Sequence, residues 1–177
     1  MKQHEISLNE LDLQYAEELF PIWSDWEVIQ YTLVRNVQTI EDCKERIKGN
    51  IEWSKKNDSL GPFVVISNNE TIGFCGGAKT SNNSYEIFYH ISRKYWGKKI
   101  GTEIAEKLLK IAFIERDAIA VYASAVDKNI ASWKILEKLN MERIGTEKRE
   151  ATGDEILYKY GITRDTYLAK EIVLTRT

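Results

Sequence analysis

The chain has only two cysteines and two histidines among its 177 residues. Cys43 and Cys75 lie far apart, without the close spacing of paired metal ligands, so no zinc pattern is present. Two reduced thiols in the cytoplasm are the expectation. No stretch approaches the ~20 apolar residues that a membrane-spanning helix needs. The segment from Met1 to Glu10 lacks an apolar core, so no signal peptide is expected. Internal repeats and low-complexity segments are also missing. Neither sign of charge dominates: 25 Lys and Arg face 27 Asp and Glu, for a net charge of −2. With a pI of about 5.8 and basic residues spread along the chain, bulk binding to nucleic acid or to a membrane surface is not expected. What the chain does have is 43% hydrophobic residues. That is enough for one core, and a single domain over residues 1–177 is the expectation.

The most informative stretch runs from Ile87 to Glu103. Ile87–Ile91 is aromatic and β-branched, which suits a strand. A short basic loop holding Gly97 and Gly101 follows. From Thr102 a helical pattern sets in, with Ile104, Leu108, Ile111 and Ala112 at spacings of three and four. A helix start presents backbone N–H groups without intrahelical partners, and the helix dipole adds partial positive charge there. Glycines let the backbone approach a ligand closely, and Lys98 and Lys99 add cations. The unit is a candidate cradle for phosphate or pyrophosphate.

Two familiar phosphate loops do not fit. A P-loop needs four residues between its glycines and then Gly-Lys-Ser/Thr, whereas three separate Gly97 from Gly101 and Thr102-Glu103 follows. The Gly-x-Gly-x-x-Gly dinucleotide fingerprint is absent. Trp96-Gly97-Lys98-Lys99-Ile100-Gly101 instead resembles motif A of the GCN5-related N-acetyltransferases, or GNAT superfamily, with Lys99 in place of the central glycine. A second segment strengthens the resemblance. Val121–Val126 reads as a strand, and Asp127-Lys128-Asn129 as a turn. Ile130 to about Leu139 reads as a helix, with Asn140 at a left-handed C-cap. Asn129 and Ser132, with Leu136-Glu137-Lys138, resemble the Asn-x-x-Ser and Leu-Glu-Lys of motif B. That form resembles the branch holding the ribosomal-protein N-terminal alanine acetyltransferases. Asn129 also has the chemistry of an N-cap.

The flanks are similar to that branch as well. Leu8–Asp12 stands for its opening strand, and Ala16, Leu19, Phe20 and Trp23 for its first helix. Trp23–Val28 with Tyr31-Thr32 matches a Trp-x-Asp-x-Glu-Val…Tyr signature, and Leu157–Ile162 matches the closing strand. Thr39 caps a helix running to about Lys55. Asn57–Pro62, Thr80–Ser84 and Thr152–Asp154 read as loops. The order is strand, one or two helices, a three-strand antiparallel meander, helix, strand, helix, two strands. The implied class is α/β (α+β): a mixed, mostly antiparallel sheet flanked by helices, with a V-shaped splay between two central parallel strands.

The resemblance implies acetyl-CoA as cosubstrate, no metal, and direct transfer of acetyl to a primary amine, either a protein N-terminus or a small molecule. It implies cofactor contacts from Tyr89, Ile91, Trp96, Gly97, Lys98, Lys99, Ile100, Gly101, Thr102, Asn129 and Ser132. A neutral amine is needed, and free alkylamines have pKa values near ~10, so a base is required. Glu86, opening the strand, is the first choice, and Glu150 is the second. The superfamily's usual thiolate-facing Tyr falls at Leu136, which has no donor, and Ser132 is the substitute. Lys99 and Leu136 also fit a module that binds CoA without transferring acetyl, which thioester cleavage would distinguish. Trp23, Trp26, Tyr31 and Trp53 are candidates to line an acceptor pocket or to fill the core. A homodimer stays open.

Overall fold

The computed structural model describes residues 5–32, 36–148 and 155–174. Seven strands form one sheet: β1 (Ile6–Glu10), β2 (Leu60–Ser67), β3 (Glu70–Lys79), β4 (Ser84–Ile91), β5 (Ala120–Val126), β6 (Glu142–Lys148) and β7 (Ile156–Thr163). Their spatial order is β1-β2-β3-β4-β5-β7-β6. Every neighbouring pair is antiparallel except β4 and β5. The expected meander is therefore present, and residues 80–83 link β3 to β4.

Helices cover both faces. On one side lie α1 (Ala16–Trp23), the single turn α2 (Trp26–Ile29) and α3 (Ile40–Asn57). Leu19, Trp23, Cys43 and Ile47 pack there against Val64 and Phe74 of the sheet. Trp23 meets the Phe74 ring edge-on at 5.0 Å. Thr39 caps α3 through a capping box: its hydroxyl accepts from the Asp42 amide, and the Asp42 carboxylate accepts from the Thr39 amide. On the other side lie α4 (Ile100–Lys110), a π-helical extension (Ile111–Glu115), α5 (Ile130–Lys138) and α6 (Arg164–Leu174). Ile104, Leu108, Ala112 and Phe113 pack onto Tyr85, Ile87 and Val121. Alternate residues of β4 thus serve two cores: Tyr85, Ile87 and Ile91 face α4, while Phe88 faces α1 and α3.

Three details correct the expectations. Leu60–Pro62 opens β2 rather than extending a loop: Leu60 pairs with Gly77, and a register shift before Phe63 absorbs Gly61 and Pro62. A bulge suits that pair, since Gly61 has φ +74° and proline gives no N–H to a ladder. The helix after the glycine loop begins at Ile100, two residues before Thr102. The chain also continues past β7 into α6, whose Tyr167 stacks on Phe113 at 4.8 Å. The loop expected at Thr152–Asp154 lies outside the described residues. Asn140 is left-handed (φ +63°), as its place after α5 requires.

Candidate active site

β4 and β5 pair over only three residues, Ser84–Glu86 against Ala120–Tyr122, and then diverge. β3 follows β4 all the way to Ile91. Beyond Glu86, the row of β4 backbone groups facing β5 therefore has no strand partner. This is the splay implied by the sequence resemblance. An open row of N–H and C=O groups in a wedge is a template for an extended ligand to lie along as an extra strand would.

At the far end of β4 stands the glycine loop. Trp96 folds back on it, its indole Nε1 donating to the Ile91 carbonyl at 2.8 Å. Gly97 has φ +73° and Lys99 φ +65°. Lys99 is the N-cap of α4, with no side-chain cap bond. The first amide of α4 to find an intrahelical acceptor is that of Glu103, on the Lys99 carbonyl at 3.2 Å. This leaves the N–H groups of Ile100, Gly101 and Thr102 outside the helical ladder, at the positive end of the dipole. They form an anion cradle. The loop is anchored from the opposite face: Asp25 accepts from the Glu27 amide at 3.0 Å as the cap of α2, and pairs with Arg93 Nε at 2.7 Å.

Gly101 is a glycine for a reason other than backbone freedom. A Cβ there would lie 2.7 Å from Ile135 Cδ1 and 3.3 Å from Ile91 Cδ1, so any side chain requires the end of Ile135 to shift. Gly97 is the reverse case: a Cβ would meet nothing within 4 Å, but φ is positive. Lys99 fills the motif's central glycine position in the left-handed conformation that a glycine there would take. That strain costs about 1–2 kcal/mol, against about 0.5–1 kcal/mol of chain entropy that glycine would lose. Lys99→Gly should therefore raise stability by up to about 1.5 kcal/mol, a Tm rise of up to about 6 °C in a chain of this size. Thermal unfolding of the chain without ligand checks this, and a fall in Tm would contradict it.

Two cavities meet at the splay. One, of about 530 Å³, runs from Trp96, Gly97, Lys99, Ile100, Gly101 and Thr102 past Tyr89 and Ile91 to Asn129 and Ser132. Every cofactor-contact residue expected from the sequence lines it except Lys98, whose ammonium sits 5.2 Å over the Tyr95 ring. The other, of about 650 Å³, is lined by Glu86, Phe88, Ser124 and Arg46 among others, and shares Val28, Tyr31, Tyr89, His90, Asn129 and Ser132 with the first. The second cavity opens toward α2 and α3. The two together pass through the sheet where β4 and β5 separate.

At this junction the polar groups fall on two sides. Glu86 faces the α3 side, where Ser124 Oγ donates to its Oε1 at 2.6 Å; Oε2 has no partner among the described residues. Tyr89 faces the α5 side, its hydroxyl 3.3 Å from Ser132 Oγ. Burial pushes the Tyr89 phenol up to about 12, moderated by the Ser132 hydrogen bond, so it stays protonated at neutral pH. Asn129 caps α5, its Oδ1 accepting from the Ser132 amide at 3.2 Å. Leu136 is buried in the core. Glu150 lies outside the described residues.

Of the aromatics considered for a pocket, Tyr31 lines both cavities. Trp23 is fully buried in the α1/α3 core, whereas Trp26 and Trp53 are 62% and 48% exposed. Sequence reading did not single out Ser124, Arg46 or His90. His90 shares a face of β4 with Glu86, Ser124 alternates with the apolar residues of β5, and Arg46 is one cation on the amphipathic α3; many surface positions share such signals.

A sequence model of the acetyltransferase (GNAT) domain matches residues 5–142. The uncharacterized N-acetyltransferase p20 of Bacillus licheniformis is 25% identical over 143 residues, 79% of this chain and 80% of its own. RimL, a ribosomal alpha-N-protein acetyltransferase solved with coenzyme A, superposes at a TM-score of 0.81 with 16% identity, covering 91% of this chain and 95% of RimL. A spermidine N-acetyltransferase from Vibrio cholerae, solved with CoA and spermine, gives a TM-score of 0.79 with 15% identity over 92% of this chain and 98% of that one. A family match across most of the length, on a fold these enzymes share, leaves one conclusion: this chain belongs to the GNAT acetyltransferase family.

Proposed function

We propose that the chain transfers acetyl from acetyl-CoA to a primary amine in one ternary complex, with Glu86 as the base. The observation that carries this is the junction at the splay, which places a carboxylate on one side and a paired hydroxyl on the other. The residues fit the cosubstrate: three unladdered amides and Lys99 suit a pyrophosphate, and the open edge of β4 suits an extended arm. When bound, acetyl-CoA supplies an acetyl thioester for attack by a neutral amine.

The residues divide the work. Glu86, oriented by Ser124, takes the proton that the attacking amine must lose. A backbone N–H on the unpaired row of β4 donates to the oxyanion as the carbonyl becomes tetrahedral. Tyr89 and Ser132 donate a hydrogen bond to the departing thiolate. Hydrogen bonding, rather than proton transfer, is their role, because a phenol near 12 holds its proton more tightly than a thiol near ~8.5. Asn129 fixes Ser132 through the α5 cap. The buried thiols Cys43 and Cys75 stand apart from this chemistry; burial raises both pKa values. We propose the cytoplasm as the compartment.

An acceptor screen with acetyl-CoA and detection of the released thiol tests this reading. Thiol release that requires an amine and matches the acetylated amine one for one is expected. CoA binding with no release on any amine would favour a binding module instead. Ser132→Ala should lower kcat more than it lowers CoA affinity. A lost hydrogen bond to developing charge is worth roughly 1.5–3 kcal/mol, about ten- to a hundredfold in rate. Unchanged kcat on a confirmed acceptor would reduce Ser132 to a helix residue.

A further inference from the structure

The larger cavity holds a cation with no counter-ion among the described residues. Arg46, projecting from α3, lines it, and its Nη1 is buried with no hydrogen-bond partner among the described residues. No described carboxylate pairs with its guanidinium. The group instead lies over the Trp23 ring at 4.0 Å. Burial lowers its pKa to about 10, so it remains charged at neutral pH. His90, on the same face of β4 as Glu86, lines the same cavity. It is 7% exposed, and its Nδ1 is also buried and unpartnered. Burial first, and the Arg46 charge second, push the imidazole down to about 3. It is therefore a neutral ring able to donate one hydrogen bond. An isolated buried charge is unfavourable unless something pairs with it. Here the described residues supply a pocket and no partner.

We infer that the acceptor is an amino-carboxylate, whose acid group docks on Arg46 and His90 while its amine reaches Glu86. This rests on reading the cavity as the acceptor site. The charges are complementary: a carboxylate at the amine end, and a cation at the acid end. Glu86 and His90 are four residues apart on one strand, or ~13 Å at ~3.3 Å per residue. That spacing leaves room for a short amino-carboxylate, such as a small peptide, between the two groups. A polyamine would bring a second cation to Arg46 and is disfavoured.

The test uses the full chain with acetyl-CoA and a panel of the free amino acids and Gly-containing dipeptides, each beside its C-terminal amide, with spermidine as the anion-free amine. Acids should exceed their amides by tenfold or more in kcat/KM, through KM. Arg46→Gln should erase that preference by raising KM for the acids with kcat little changed, and Arg46→Lys should keep part of it. Amides as good as acids, spermidine as the best acceptor, or a preference that survives Arg46→Gln would overturn the inference. Should Arg46→Gln not fold, the acid-to-amide ratio of the unmodified chain decides. Calorimetry in the presence of CoA separates this from the transfer reading, using the N-acetyl forms of the same compounds. Should no amine turn over, acid-dependent binding of these compounds would still support the anion site, and its absence would overturn it.

Discussion

Replacing Gly101 by Asp should abolish coenzyme A binding. The new Cβ would sit 2.7 Å from Ile135 Cδ1, so α5 or its side chain must give way. The carboxylate would then occupy the start of α4, where the amides of Ile100 to Thr102 are available to a pyrophosphate. Two like charges about 4 Å apart repel by about 4 kcal/mol at an effective dielectric of 20. Even half of that lowers affinity by more than tenfold, and a pyrophosphate carries more than one charge. A loss of a hundredfold or more in CoA affinity is expected. Gly97→Asp should be milder, because its Cβ points into open space and the penalty is confined to a positive φ and one added charge. Isothermal titration with CoA ranks the two. Equal, unimpaired affinity in both variants would move the pyrophosphate away from this loop.

Glu86→Gln should lower kcat/KM by about a hundred- to a thousandfold, within the range for loss of a positioned base. The amide keeps an oxygen for Ser124 and the same volume, so stability and CoA affinity should not change. Wild-type kinetics in Glu86→Gln, together with slow turnover in Glu150→Gln, would transfer the role to Glu150. Wild-type kinetics in both would leave proton removal to ordered water or bulk solvent.

What the sequence made legible is local. The β4 strand, the glycine loop, the presence of a helix after it, the Asn129 cap and the left-handed Asn140 are each specified by residues within a few positions of one another. The splay followed from resemblance rather than from pattern, since no periodicity says where two parallel strands part. The Tyr89–Ser132 pair joins residues 43 apart, and Ser124 meets Glu86 across 38. Arg46 and His90 come together from α3 and β4 only after the sheet has formed. Such pairs leave no trace in a linear reading, where Arg46 is one more charge on an amphipathic helix. Leu60–Pro62 was hidden for a different reason. Gly and Pro signal a turn in most contexts, and here a bulge in β2 accommodates both. The four aromatics considered together sort by burial: Trp23 is core, Tyr31 lines the cavities, and Trp26 and Trp53 are at the surface.

The most direct measurement is a crystal structure of the chain with coenzyme A. Pyrophosphate against the amides of Ile100, Gly101 and Thr102 is expected. The pantetheine arm should lie along the unpaired edge of β4, and the thiol within hydrogen-bond reach of Tyr89 or Ser132, with Glu86 across the junction. Coenzyme A seated elsewhere, or with its thiol directed away from the divide between β4 and β5, would contradict acetyl transfer at this site.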